Sequence, residues 1–102
     1  MISTTLILFV FDEMEDAGRI QDNIRQIFHD ADLPYQLRVI NVREQPGALT
    51  EYRVLACPTL LKLEPYPACR LVGNLLDPNL VRVRLGIEPN RVLERNLMEE
   101  LL

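Results

Sequence analysis

The residues best suited to nucleophilic or soft-metal chemistry are Cys57, Cys69 and the single histidine, His29. Zinc sites use four nitrogen, sulfur or carboxylate ligands at short, paired spacings, and no such pairing of cysteines occurs. A working thiol needs a helix N-terminus, a cation or a neighbouring thiol to lower its pKa. Cys57 sits beside Pro58 with no second cysteine at close spacing. Cys57 and Cys69 could approach across a hairpin, but two reduced, buried thiols suit a chain with so few cysteines. His29 falls at the end of a helical pattern, where a solvated residue is expected rather than a base. The sequence offers no Ser-His-Asp set and no glycine loop that would cradle phosphate. We therefore expect no catalytic residue, no metal and no cofactor.

Length and charge narrow the remaining classes. A chain of 102 residues makes one domain, with 48% hydrophobic and 25% charged residues, an ordinary globular mixture. Fifteen acidic residues outnumber eleven basic ones, giving a formal charge of −4. That balance argues against general binding to nucleic acid or anionic membranes, which needs a basic face. The acidic residues concentrate near the start and the tail. The arginines lie through the middle, where they could form a local patch. No stretch is long and apolar enough to span a membrane, and Met1-Ile2-Ser3-Thr4-Thr5 lacks the basic start of a signal peptide. A cytoplasmic protein is the expectation.

The elements that would position these residues read clearly. Residues 4–11 (TTLILFVF) form a continuous apolar run with β-branched and aromatic members, which predicts a buried central strand. An acidic turn, Asp12 to Asp16, follows. Ile20, Ile24, Ile27 and Phe28 then recur at helical spacing, with Asp16 placed to cap the helix. Residues 35–42 (YQLRVINV) read as a second strand, so the first two strands should be parallel across the helical crossover. Pro46 opens a short helix to about Arg53, with Ala48, Leu49 and Tyr52 turned inward.

The run Leu55-Ala56-Cys57-Pro58-Thr59-Leu60 passes through a proline directly into a strand, residues 59–63. Such an X-Pro bond with apolar neighbours on both sides is a candidate for cis, which costs only about 0.5–1 kcal/mol at proline. A trans proline opening an edge strand is the alternative. After the turn Glu64-Pro65-Tyr66-Pro67, residues 68–72 return as an antiparallel strand. Asp77-Pro78 starts a helix whose buried face includes Leu80, Val81, Leu85 and Val83, and Gly86 closes it. Residues 89–102 predict a last amphipathic helix, with Leu93, Leu97, Met98, Leu101 and Leu102 along one stripe. It either packs on its own domain or pairs with another chain. The domain thus covers 1–87, followed by a helix in 88–102.

The order β-α-β-α-β-β-α with a proline corner, Pro58, before the third strand resembles the thioredoxin-like fold, an α/β class. The chemistry of that fold is missing. Where redox members carry a thiolate, at the start of the first helix, this chain has Phe11-Asp12-Glu13-Met14-Glu15. Carboxylates there would raise a thiol pKa, and no thiol is present.

From Leu6 to about Ile87 the chain also resembles the KaiB family of clock-associated proteins. The resemblance rests on residues 35–42 with Gln45-Pro46, on Ala56-Cys57-Pro58-Thr59-Leu60, and on Pro65-Tyr66-Pro67-Ala68-Cys69-Arg70 running to Gly73-Asn74-Leu75. Asn41 and Asn74 stand where the family has aspartates, Cys57 where it has threonine, and Cys69 where it has an arginine. The acidic turn at 12–16 replaces a Gly-Asn-Thr-Pro-like loop.

The resemblance implies a non-enzymatic partner of a KaiC-like hexameric ATPase, acting in circadian or stress signalling. It implies a contact surface at positions matching basic residues of the family: Arg19, Arg38, Arg53, Lys62 and Arg70. Pro58 would be structural. Some family members adopt a second, tetrameric fold of the C-terminal half. This chain has Arg84 where the family often places a helix glycine, which favours the helical arrangement by roughly 0.5–1 kcal/mol. Two other readings stand beside this one. One is a sensory domain like that at the front of a SasA-type histidine kinase, disfavoured because the chain begins with Met1 and carries no kinase. The other is a thiol-dependent or glutathione-binding protein on the same fold. Self-association through the last helix is a further expectation.

Overall fold

The computed structural model describes residues 3–12 and 14–87. Four strands and three helices follow in the order β1 (Thr4–Val10), α1 (Ala17–Asp30), β2 (Tyr35–Asn41), α2 (Gly47–Glu51), β3 (Thr59–Glu64), β4 (Cys69–Val72) and α3 (Pro78–Arg84). The strands form one sheet in the order β2-β1-β3-β4. β1 runs parallel to β2 and antiparallel to β3, and β3 runs antiparallel to β4. This is the thioredoxin-like arrangement that the element order implies.

Alternation along β1 divides the core into two layers. Leu6, Leu8 and Val10 pack against Ile20, Ile24, Ile27 and Phe28 of α1 and against Val81 and Leu85 of α3. Ile7 and Phe9 point the other way, to Ile40, Val42, Ala48, Val54 and Leu61. A strand apolar on both faces is stable only with cover on both, which places β1 in the middle. The four α1 residues of the predicted stripe are all buried. On the opposite face the five-residue α2 is pinned by Tyr52, whose ring tilts against Phe9 with centroids 5.4 Å apart.

All three helices end the same way. The chain turns through the left-handed region at Asp32 (φ 52°), Arg53 (φ 55°) and Gly86 (φ 73°). The next amide then reaches back to a carbonyl of the last turn: Leu33 to Phe28, Val54 to Leu49 and Ile87 to Arg82. These are Schellman closures, which satisfy carbonyls that the helix leaves open. Only at Gly86 does the residue type announce it.

Four expectations change. The strand ends at Val10, and Phe11 is 55% exposed. Val83 and Leu80 face solvent rather than the core, which leaves Val81 and Leu85 as the buried pair. Asp16 makes no side-chain cap hydrogen bond, because its backbone is already helical (φ −89°, ψ −6°) and its carboxylate is not aimed back at the first amides. Leu55 lies exposed ahead of the proline corner instead of buried beside it. The Cys57–Pro58 peptide is cis, as are Glu64–Pro65 and Tyr66–Pro67. The helix predicted over 89–102 lies outside the described residues.

Asp77, by contrast, is extended, and its Oδ1 accepts from the amides of Asn79 (3.0 Å) and Leu80 (3.3 Å). Replacing Asp77 with Ala should therefore cost about 1 kcal/mol. In a domain of this size that lowers Tm by roughly 4–8 °C. Asp16→Ala should stay within about 0.5 kcal/mol of the parent, as a surface change does. Thermal unfolding followed by circular dichroism checks both.

Candidate docking surface

The five basic residues singled out from the sequence do not converge. Arg19 is exposed on the first turn of α1, on the helical side of the sheet. Arg38 and Arg70 share one transverse row of the opposite face, through the register Arg38–Ile7–Leu61–Arg70, but lie on the two edge strands. Lys62 is only 8% exposed. It sits on β3 opposite Leu6 and Cys69, where its apolar stem covers the sheet. It therefore does not belong to an exposed contact surface.

Only Arg53 and Arg70 meet. The Arg70 guanidinium donates from Nη1 to the Arg53 carbonyl and from Nη2 to the Tyr52 carbonyl. These carbonyls lie at the end of α2, where the helix dipole favours a cation. Arg70 thus ties β4 to α2 across the sheet face, an intramolecular role that leaves Arg53 with its side chain exposed.

What the fold does bring together is apolar. At the end of the sheet where β1 stops and β3 begins, a shallow hollow of about 360 Å³ is lined by Phe11, Val42, Leu49, Val54, Leu55, Ala56 and Cys57. Leu55 is 99% exposed and Phe11 55%. Two large apolar side chains standing proud around a concave apolar floor form a surface built for contact rather than for water. The rim is charged. Arg53 precedes Val54, and Arg43 follows Val42 while pairing with Asp12 at 2.7 Å. Sequence reasoning missed this patch because an apolar run does not reveal where its cover ends. The available signal was the placement of Phe11 against an acidic turn and of Leu55 two residues after Arg53.

Cys57 borders the patch, half-buried and reduced. It packs with the cluster on the α2 face, whereas Cys69 packs with the cluster on the α1 and α3 face. The sheet separates them, so the approach across the hairpin does not occur. Cys69 instead lies 3.7 Å from the Arg84 carbonyl. Burial pushes the Cys57 thiol above its usual pKa, since desolvation disfavours the thiolate. That is opposite to the tuning a nucleophile needs. Among the described residues no three His, Cys, Asp or Glu side chains are grouped to hold a metal ion, and no helix is long and apolar enough to cross a membrane. In a Cys69→Ser background, alkylation of Cys57 by iodoacetamide should show its pH midpoint above that of a free cysteine. A midpoint below it would contradict the desolvated site.

Comparison with known proteins follows the same outline. The model of the KaiB domain matches residues 7–87. The circadian clock oscillator protein KaiB of Prochlorococcus marinus (strain MIT 9312) is 34% identical over 80% of this chain and 79% of its own length. The adaptive-response sensory kinase SasA of Gloeothece citriformis is also 34% identical, over 74% of this chain, but this chain spans only 20% of the kinase. Among solved structures, the N-terminal domain of Synechococcus elongatus SasA is similar with a TM-score of 0.67 and 31% identity, covering 84% of this chain and 86% of that one. The thioredoxin Deadhead of Drosophila melanogaster gives a TM-score of 0.63 at 12% identity, covering 82% and 79%, a likeness of fold alone. With the proline corner, the thiol-free first loop and a family match across nearly the whole described domain, the chain belongs to the KaiB family.

Proposed function

We propose that this chain is a non-enzymatic adaptor that docks on a KaiC-like hexameric ATPase and modulates its phosphorylation or ATPase state in clock-type or stress signalling. The observation that carries the reading is the exposed apolar patch of Phe11 and Leu55 at the proline corner. Aromatic and aliphatic anchors around a concave floor, fringed by charge, are the usual anatomy of a protein interface. Family membership supplies the partner class, and the raised thiol pKa of Cys57 argues against a thiol-dependent activity.

Arg53, beside the patch, would make a rim contact. Arg19 and Arg38, which do not line it, would act through long-range attraction, setting the association rate more than the affinity. Arg70 would serve by holding the end of α2 in place. The sensory-domain reading draws support from the structural likeness to the SasA N-terminal domain. Both readings call for an ATPase ring as partner and differ in what the rest of the protein does with the signal. Self-association through the last helix remains a proposal, tested by the mass of the free protein.

Size-exclusion chromatography with light scattering, with a KaiC-like ATPase from the same genome in ATP and in ADP, tests the reading. A nucleotide-dependent complex is expected. Leu55→Asp, at a side chain that supports no core, should weaken it tenfold or more, as loss of an interface anchor does. Arg53→Glu should slow association and make it less sensitive to salt. Absence of a complex in both nucleotides contradicts the proposal.

A further inference from the structure

Phe11 stands where β1 hands over to α1, and the backbone beside it is held by a set of side-chain bonds from the other parallel strand. Asn41, the last residue of β2, accepts the Asp12 amide at 2.9 Å and the Arg43 amide at 3.1 Å, both on Oδ1. Arg43 closes the ring by donating from Nη1 to Asp12 Oδ2 at 2.7 Å. Asp12 itself is in the left-handed region (φ 52°), which aspartate visits more readily than most residues when local hydrogen bonds support it. The bonds to Asn41 and Arg43 supply that support, together with the turn bond from the Met14 amide to the Asp12 carbonyl at 3.0 Å.

We infer that Asn41 is a positioning residue for the docking patch, holding Phe11 in place through Asp12, and that it is an amide because Asp12 already supplies the one carboxylate the ring can neutralise. This rests on the docking reading above. An amide oxygen takes the same two N–H bonds that a carboxylate would take, without adding a negative charge next to Asp12. Among the described residues one guanidinium, that of Arg43, faces the set, and Glu44 lines the same hollow. An acidic residue at 12 and an amide at 41 therefore suit one another. Asn41→Asp would set two carboxylates and Glu44 around a single arginine. Asp12→Asn combined with Asn41→Asp would move the charge to β2 and restore the balance.

Two readouts separate this inference from the docking reading. The first is chymotrypsin cleavage after Phe11 in the free protein, with Tm monitored to exclude global unfolding. The second is affinity for the KaiC-like ATPase. Asn41→Asp should speed cleavage and weaken docking, each roughly tenfold, the size of one uncompensated charge contact near a surface. The double variant should return both to within about threefold. Asn41→Ala, which removes the acceptor, should behave like Asn41→Asp but gain nothing from Asp12→Asn. Unchanged cleavage in Asn41→Asp, or a double variant no better than the single, overturns the ring's hold on Phe11. Cleavage that responds while affinity does not overturns its part in docking. If the parent protein fails to bind the ATPase, the docking reading falls, and the cleavage cycle still decides the hold on Phe11.

Discussion

β1 is the constraint on which the rest depends. Its residues from Leu6 to Val10 are buried, and they alternate between two separate clusters. Each such side chain contributes roughly 1.5–3 kcal/mol when it leaves water, so the strand is stable only if both faces are covered. The 14-residue α1 and the seven-residue α3 cover one face. Among the described residues the other has α2 alone, a single short helix whose reach ends with Val54 and Tyr52. The exposed apolar patch is a consequence. At the end of β1 the two covers stop, and Phe11, next in the same apolar run, emerges beside Leu55.

The polar interactions read as reinforcement of that thin layer. α2 is too short to persist alone, since nucleation makes isolated helices of this length unstable. It is held by Tyr52 against Phe9, by the closure of Val54 on Leu49, and by the Arg70 guanidinium on its last carbonyls. The two segments that carry the patch leave the sheet near one another. Asn41 ties the first of them, and α2 anchors the second. Rigid backbone under exposed apolar anchors lowers the ordering cost of association.

Much of this was legible in the sequence, for identifiable reasons. The apolar run of β1, the 3.6-residue stripe of α1, and the Asp77-Pro78 start and Gly86 end of α3 each reflect a local rule, and each appears in the structure. What was not legible depends on distant partners. Lys62 reads as a surface charge, yet its neighbours on both sides are strands. Arg70 reads as a contact residue, yet its acceptors are backbone carbonyls 17 and 18 positions away. Asp32 and Arg53 take left-handed conformations that their side chains do not announce. Phe11 and Leu55 look like core because apolarity does not encode where a covering layer ends.

The central claim is that this KaiB-family domain meets its partner through the apolar end of the sheet and not through dispersed basic residues. The most direct measurement is nitrogen-15 NMR of the labelled chain during titration with a KaiC-like ATPase. The account predicts shift changes and broadening concentrated at Phe11, Leu49 and residues 53–57, with the amides of Gln36 and Arg38 on the far edge little affected. Perturbation centred on β2 or on the exposed face of α1, with Leu55 unmoved, would contradict it.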